Sequence, residues 1–298
     1  MKQTQCFLPL SRKKYKKASK GFSIIEMMVA LTIFSIMGAI VSSTVVLQAN
    51  VYLTDIGRVR VQQNLRSISD IIAVNIRQAG EGLDEFFPAV ELQDGPTLVL
   101  RRKLLSEVLF LCQDASAGDV QLYVSDDSSE DVNCIPANIA DSLAAWTNYR
   151  TEKGGEVSIY IYDRVNKVGE FLTYSGEDTS AGDDYLDVTA LSNDYPASST
   201  TIYVLEEYSF SLNNAENTLV LTVNDSTTMD VGYDITDFTV TLLMQDGSEL
   251  SSLAPGDDKT WKDIKTIKYT LTGQSVWKNY TVTQSLTGEY FPRNVMSG

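Results

Sequence analysis

From Met27 to Leu53 the chain holds no charged residue and no proline, a run longer than the roughly 20 residues a helix needs to cross the core of a bilayer. The pattern predicts a membrane-spanning helix. Beyond it Ile56, Val61, Leu65, Ile68, Ile72 and Ile76 recur at mostly three- and four-residue spacing, with Arg58, Arg60, Arg66 and Asp70 in between, which is the period of an amphipathic helix. Gly80 and Gly82 then supply a stop. A continuous helix from Phe22 to Ala79 has 58 residues and a length of about 87 Å, so only its first half fits a membrane. With no proline between Phe22 and Phe87, Gly38 and the following Ser42-Ser43-Thr44 are the place for a local bend or for close packing on neighbouring helices.

Residues 81–298 read mostly as strand and loop. Val157, Ile159 and Ile161 alternate with Ser158, Tyr160 and Tyr162. Ile202 to Phe210 and Thr218 to Val223 flank the turn-rich segment Asn213 to Asn217, which predicts a hairpin. Further alternations run from Phe238 to Met244, from Lys265 to Leu271 and from Tyr280 to Ser285. One helix interrupts, opened by Pro136 and lined on one face by Ile139, Leu143 and Trp146. The fold class expected is α+β, a long N-terminal helix whose amphipathic half packs on a mainly antiparallel sheet domain.

Charge adds an orientation. The protein has 298 residues and a net charge of −15, yet residues 1–21 carry Lys2, Arg12, Lys13, Lys14, Lys16, Lys17 and Lys20 and no acid, which leaves −22 on the rest. Seven cations directly before a span keep the N-terminus cytoplasmic and put the acidic body outside, the periplasmic side in a Gram-negative cell. A conventional secretory signal has an apolar region of only about 7 to 15 residues, shorter than this one.

The junction itself reads Gly21-Phe22-Ser23-Ile24-Ile25-Glu26-Met27. A basic leader ending in glycine, an aromatic residue next and a glutamate fifth after the junction resemble the signature of type IV pilins and type II secretion pseudopilins. The resemblance implies cleavage after Gly21 by a prepilin peptidase, N-methylation of Phe22, and a role in assembly for Glu26. A new α-amine of pKa about 8 stays cationic and would meet a neighbour's Glu26, a buried pair that acts mainly as a register device. Partners implied are other minor and major pilins or pseudopilins and the inner-membrane assembly platform. The segments Asn64 to Gly80, Phe238 to Gly247 and Trp261 to Gly273 are similar to PilW-type minor pilins. The domains expected are therefore a leader over 1–21 that is removed, an assembly helix over 22–53, an amphipathic half over 54–80 and a periplasmic β-rich domain over 81–298.

Cys6 leaves with such a leader, so Cys112 and Cys134 remain as a pair in an oxidising compartment, where a disulfide is expected. Asp126, Asp127, Glu130 and Asp131, and the segment from Glu177 to Asp187, offer oxygen ligands of the kind calcium takes, but neither matches the twelve-residue calcium loop; solvated turns and no metal are the reading. The chain has no histidine, which removes histidine-based triads and imidazole zinc sites, and no cofactor fingerprint occurs, so no enzyme and no cofactor are expected. Arg101-Arg102-Lys103 is too short for a nucleic-acid surface and reads as a solvated strand end. The function expected is that of a minor pilin or pseudopilin that primes or caps filament assembly near the tip. Two alternatives stay open: a tip adhesin using exposed tyrosines such as Tyr149, Tyr160 and Tyr162, which cross-strand core packing explains equally well, and a bitopic membrane protein with a periplasmic domain that retains residues 1–21.

Overall fold

The computed structural model describes residues 21–93, 95–179, 183–277 and 280–296, and the chain divides into two compact units between Leu53 and Thr54. The helix expected from the apolar pattern is α1 (Ile24–Gln78), which begins in the first unit and ends in the second. Among the described residues it is the one helix long and apolar enough to cross a membrane.

In the first unit the apolar side chains of α1 are exposed. Its hydroxyls bond to their own helix: Thr32 donates to the Val29 carbonyl (2.8 Å), Ser35 to Leu31 (2.7 Å), Ser43 to Ile40 (2.8 Å) and Thr44 to Val41 (2.8 Å). No polar side chain among these four needs water, as a bilayer core demands. The helix is unbroken through Gly38.

The second unit explains the period that follows. Val61, Leu65, Ile68, Ile72 and Ile76 are buried, one stripe at the helical repeat. Ile56, expected to open that stripe, is 40% exposed; burial begins only at Val61. The helix stops at Gly80 for two reasons. Its φ is +78°, which glycine adopts without penalty, and a Cβ there would lie 2.1 Å from the Trp261 ring.

After α1 come β1 (Val90–Gln93), β2 (Thr97–Lys103), β3 (Leu109–Phe110), β4 (Gln121–Tyr123) and α2 (Pro136–Glu152). Then follow β5 (Val157–Asp163), β6 (Val168–Asp178), β7 (Tyr185–Val188), β8 (Thr200–Tyr203), β9 (Leu205–Asn213), β10 (Thr218–Val223) and β11 (Thr227–Gly232). The chain closes with β12 (Ile235–Met244), β13 (Glu249–Leu250), β14 (Ile264–Trp277) and β15 (Tyr280–Tyr290). They form not one sheet but three, of orders β1-β2-β9-β10-β11, β13-β12-β14-β15 and β3-β8-β5-β6-β7-β4, with antiparallel pairing throughout the described ladders. The architecture is α+β.

Two cores result. One gathers the α1 stripe with Phe210 and Leu219 of the five-stranded sheet and Phe238, Leu242, Tyr269 and Leu271 of the four-stranded sheet. The other packs Ile139, Leu143 and Trp146 of α2, the face expected for that helix, on Ile159, Ile161, Leu172 and Ile202. The predicted strand from Ile202 to Phe210 is in fact two strands in different sheets, β8 and β9, parted at Val204, whose carbonyl accepts the Leu104 N–H at 2.9 Å. The predicted hairpin around Asn213 to Asn217 is present as β9–β10.

Candidate functional site

At the start of α1, Ser23 and Glu26 bond to each other's neighbourhood: the Ile25 N–H donates to Ser23 Oγ (3.4 Å) and the Ser23 N–H donates to Glu26 Oε2 (3.3 Å). The glutamate half of a capping box is present, Glu26 reaching back to the Ser23 N–H, while the Ser23 side chain caps the second helical N–H rather than the third, so both satisfy backbone donors that the helix cannot. The carboxylate also sits at the positive end of the helix dipole. Gly21 and Phe22 precede the helix in irregular, exposed backbone, with Phe22 81% exposed. Gly21, Phe22 and Glu26 thus share one short segment, with the Gly21–Phe22 bond outside the helix. Residues 1–20, with Cys6, lie outside the described residues. The box has a plain sequence signal, Ser-x-x-Glu before an apolar run, although the reading of Glu26 as an assembly residue passed over it.

Cys112 and Cys134 are joined as a disulfide, with Cα atoms 5.6 Å apart. The acidic stretch it closes is spent on turns. Asp126 accepts from the Ser128 N–H (2.8 Å) and hydroxyl (2.6 Å), and Asp131 accepts from the Asn133 N–H (2.9 Å). The hydrogen bonds from Ser128 hold the Asp126 carboxyl below its usual range. In the second acidic segment, of which residues 180–182 lie outside the described residues, Glu177 pairs with Arg150 at 3.0 Å and accepts from the Tyr174 hydroxyl. Burial pushes the Asp184 carboxyl up, helped by Asp127, Asp183 and Asp178. Among the described residues no group of three or more metal-ligating side chains is assembled.

The reading of Arg101 as a solvated strand end is overturned. Arg101 is buried, its Nε donates to Glu207 Oε2 (2.6 Å), and its Nη1 donates to the Pro88 carbonyl (2.6 Å) and to Glu91. Burial alone would lower its pKa, but Tyr160, Glu91 and Glu207 outweigh it and raise the value. Arg102 pairs with Glu206 at 2.5 Å. The cause is register: antiparallel β2 and β9 place Arg101 opposite Glu207 and Arg102 opposite Glu206, so two arginines meet two glutamates about a hundred residues away. Arg101, Tyr160, Glu170, Glu207 and Asn224 line a cleft of about 660 Å³. With the Arg101 guanidinium held by two carboxylates, the cleft presents a paired network with one negative charge in excess rather than a reactive cation.

Of the two readings of the tyrosines, an exposed cluster or cross-strand core packing, the structure shows packing. Tyr160 and Tyr162 are buried and set edge-on against Phe87, at centroid distances of 5.8 and 5.1 Å. Tyr149 is half-buried against the α2 core. At β5 the six-stranded sheet is covered on both faces: Ile159 and Ile161 join the α2 core, while Tyr160 and Tyr162 join the core that holds the α1 stripe.

Residues 16–42 match the model of a family described as the prokaryotic N-terminal methylation motif. No curated protein and no solved structure matches the chain. The matched stretch runs from the last leader cations across the Gly21–Phe22 junction and the capped start of α1 into its apolar run, so this chain carries a prokaryotic N-terminal methylation motif, which supports a type IV pilin-like protein.

Proposed function

We propose that the protein is a minor pilin or pseudopilin, held in the inner membrane by α1 with its acidic domain in the periplasm, and drawn into a filament near the tip. One observation carries the reading: a basic, glycine-ended segment meets a capped helix whose run from Met27 to Leu53 holds no charged residue, within the methylation motif. A prepilin peptidase would cut after Gly21 and methylate Phe22, and the assembly platform and other pilin-like subunits would be its partners. The size of the second unit suits a tip position, where bulk does not obstruct lateral packing. The role is structural and not catalytic, in keeping with a chain that has no histidine.

Intact-mass and N-terminal peptide analysis of the protein from its native membrane tests this. A first residue Phe22 carrying one extra methyl group is the expected result. Retention of Lys2 to Gly21 would sink the assembly reading and leave a bitopic membrane protein. Labelled protein spread evenly along filament shafts would overturn the tip position alone.

A further inference from the structure

The cleft of about 660 Å³ beside Arg101 is walled by strands of two sheets, the five-stranded and the six-stranded. Register builds both walls. On one side antiparallel pairing sets Ser209 between Val99 and Thr222, two residues along from the Arg101–Glu207 pair. On the other it sets Ser158 beside Thr173 and Tyr160 beside Phe171. Directly opposed residues of paired strands share a face, so each wall carries a row of hydroxyls. Those of Ser158, Thr173, Ser209 and Thr222 bond to no other described residue.

Tyr160 adds a second, independent observation. The residue is only 7% exposed, edge-on to Phe171 at 4.8 Å and beneath the Arg101 guanidinium at 5.4 Å. Its ring lies across bare Gly169, where a Cβ would stand 2.5 Å from the phenol oxygen, and both residues line the cleft. That oxygen has no hydrogen-bond partner among the described residues, whereas the hydroxyls of Tyr174, Tyr195 and Tyr269 are taken by Glu177, Glu170 and the Ser69 carbonyl. A buried tyrosine hydroxyl normally finds a partner, and this one is left facing a cavity.

The lining sets the ligand's chemistry. Hydroxyls both donate and accept, which matches the hydroxyls of a sugar. Asn224 uses its Oδ1 to accept the Glu207 N–H at 2.8 Å, so its amide N–H groups remain as donors at the rim. Phe171 is half-buried and offers a ring to the apolar face of a pyranose. Glu91 and Glu207 outnumber the Arg101 cation, and like charges brought together are costly, so an anionic ligand is disfavoured. The volume lies within the about 300–1,000 Å³ usual for small-molecule sites.

We propose that this cleft binds an uncharged oligosaccharide, whose hydroxyls bond to the Tyr160 hydroxyl and the two hydroxyl rows while a sugar ring lies against Phe171. Every residue involved belongs to the second unit, so the inference stands apart from the filament reading.

The test titrates cellohexaose, maltohexaose and chitohexaose into the full chain in a detergent without a sugar headgroup, with hexagalacturonate and spermine as charged comparisons, and follows heat release. Saturable binding of at least one neutral probe is expected, with hexagalacturonate bound far more weakly. Tyr160→Phe gives up no internal hydrogen bond, so it should unfold at the parent's denaturant midpoint while weakening that binding about 2- to 10-fold, the worth of one hydrogen bond. Thr222→Trp, which fills the cleft from one wall, should abolish binding and gives a separate reading should the first variant misfold. No saturable binding of any neutral probe by the parent would overturn the inference. Parent-like binding by Thr222→Trp would place the sugar elsewhere on the chain and overturn it too. Spermine bound in preference to every neutral probe would assign the cleft to a polycation and overturn the saccharide reading.

Discussion

Glu26 has two possible partners. In the single chain its carboxylate accepts the Ser23 N–H, while in a filament a neighbour's cationic amine would compete for it. Charge and capping can be separated, because glutamine also serves in a capping box but carries no charge. Glu26→Gln is expected to insert and fold as the parent does yet to be lost from filaments, whereas Ser23→Ala, which weakens the cap by about 1 kcal/mol, still enters them. Quantifying each variant in sheared filaments against the membrane pool checks this, and equal incorporation of Glu26→Gln would count against the assembly role. Arg101 gives the corresponding residue-scale case in the domain. Arg101→Met leaves Glu91 and Glu207 buried without their cation, an expected loss of about 3–5 kcal/mol. Adding Glu91→Gln and Glu207→Gln should recover much of it, measured by denaturant unfolding; a loss under 1 kcal/mol for Arg101→Met alone would mean the network bears no stability.

At the scale of elements, α1 changes role along its length. Ile68 is fully buried, and the three- and four-residue-spaced stripe it belongs to holds the helix on the domain. Gly232 is bare where it faces Ile68, since a Cβ there would come 2.1 Å from Ile68 Cδ1. Ile68→Ala is therefore expected to cost about 2–5 kcal/mol, the range for a large apolar side chain removed from a core. Ile56→Ala, outside the stripe and 40% exposed, should change stability by about 0.5 kcal/mol or less. Chemical denaturation of the detergent-solubilised protein distinguishes the two, and a similar cost at both positions would contradict the start of burial at Val61.

For the whole molecule, the charged groups set a pH window. Burial works against the ionised forms of Asp163, Glu170 and Glu177, but hydrogen bonds outweigh it and hold all three below their ordinary 3.8 or 4.5. Asp163 accepts from Ser199 (2.6 Å) and Glu170 from Tyr195 (3.0 Å). A depressed carboxylate contributes stability that is complete above its unfolded value and lost as pH falls through the folded one. Asp184, raised by burial, works the other way. Burial pushes Tyr160, Tyr174 and Tyr269 from 10.0 up to about 12. The unfolded chain ionises these first, so their contribution is present below about pH 10 and lost between there and about 12. Thermal unfolding should show a plateau between about pH 5 and 9 with losses on either side. A melting temperature that keeps rising to pH 11 would contradict the buried tyrosines.

By itself the sequence determined what depends on near neighbours along the chain: the cationic first 21 residues, the apolar run, the glycine-aromatic-glutamate junction, the helical period from Ile56 to Ile76, of which burial takes up only Val61 onward, the α2 face and the alternation of most strands. These follow from helical and strand periods and from local composition, so the α+β class and the N-terminal segment were legible before any contact was known. Only the tertiary structure decided that the strands divide among three sheets, that the chain changes sheet at Val204, that Tyr160 and Tyr162 face a core, and that Arg101 is buried between Glu91 and Glu207. Each of these depends on pairing between residues far apart in the chain. A strand's period of two says which residues share a face, but what covers that face is set by whichever distant strand or helix arrives there.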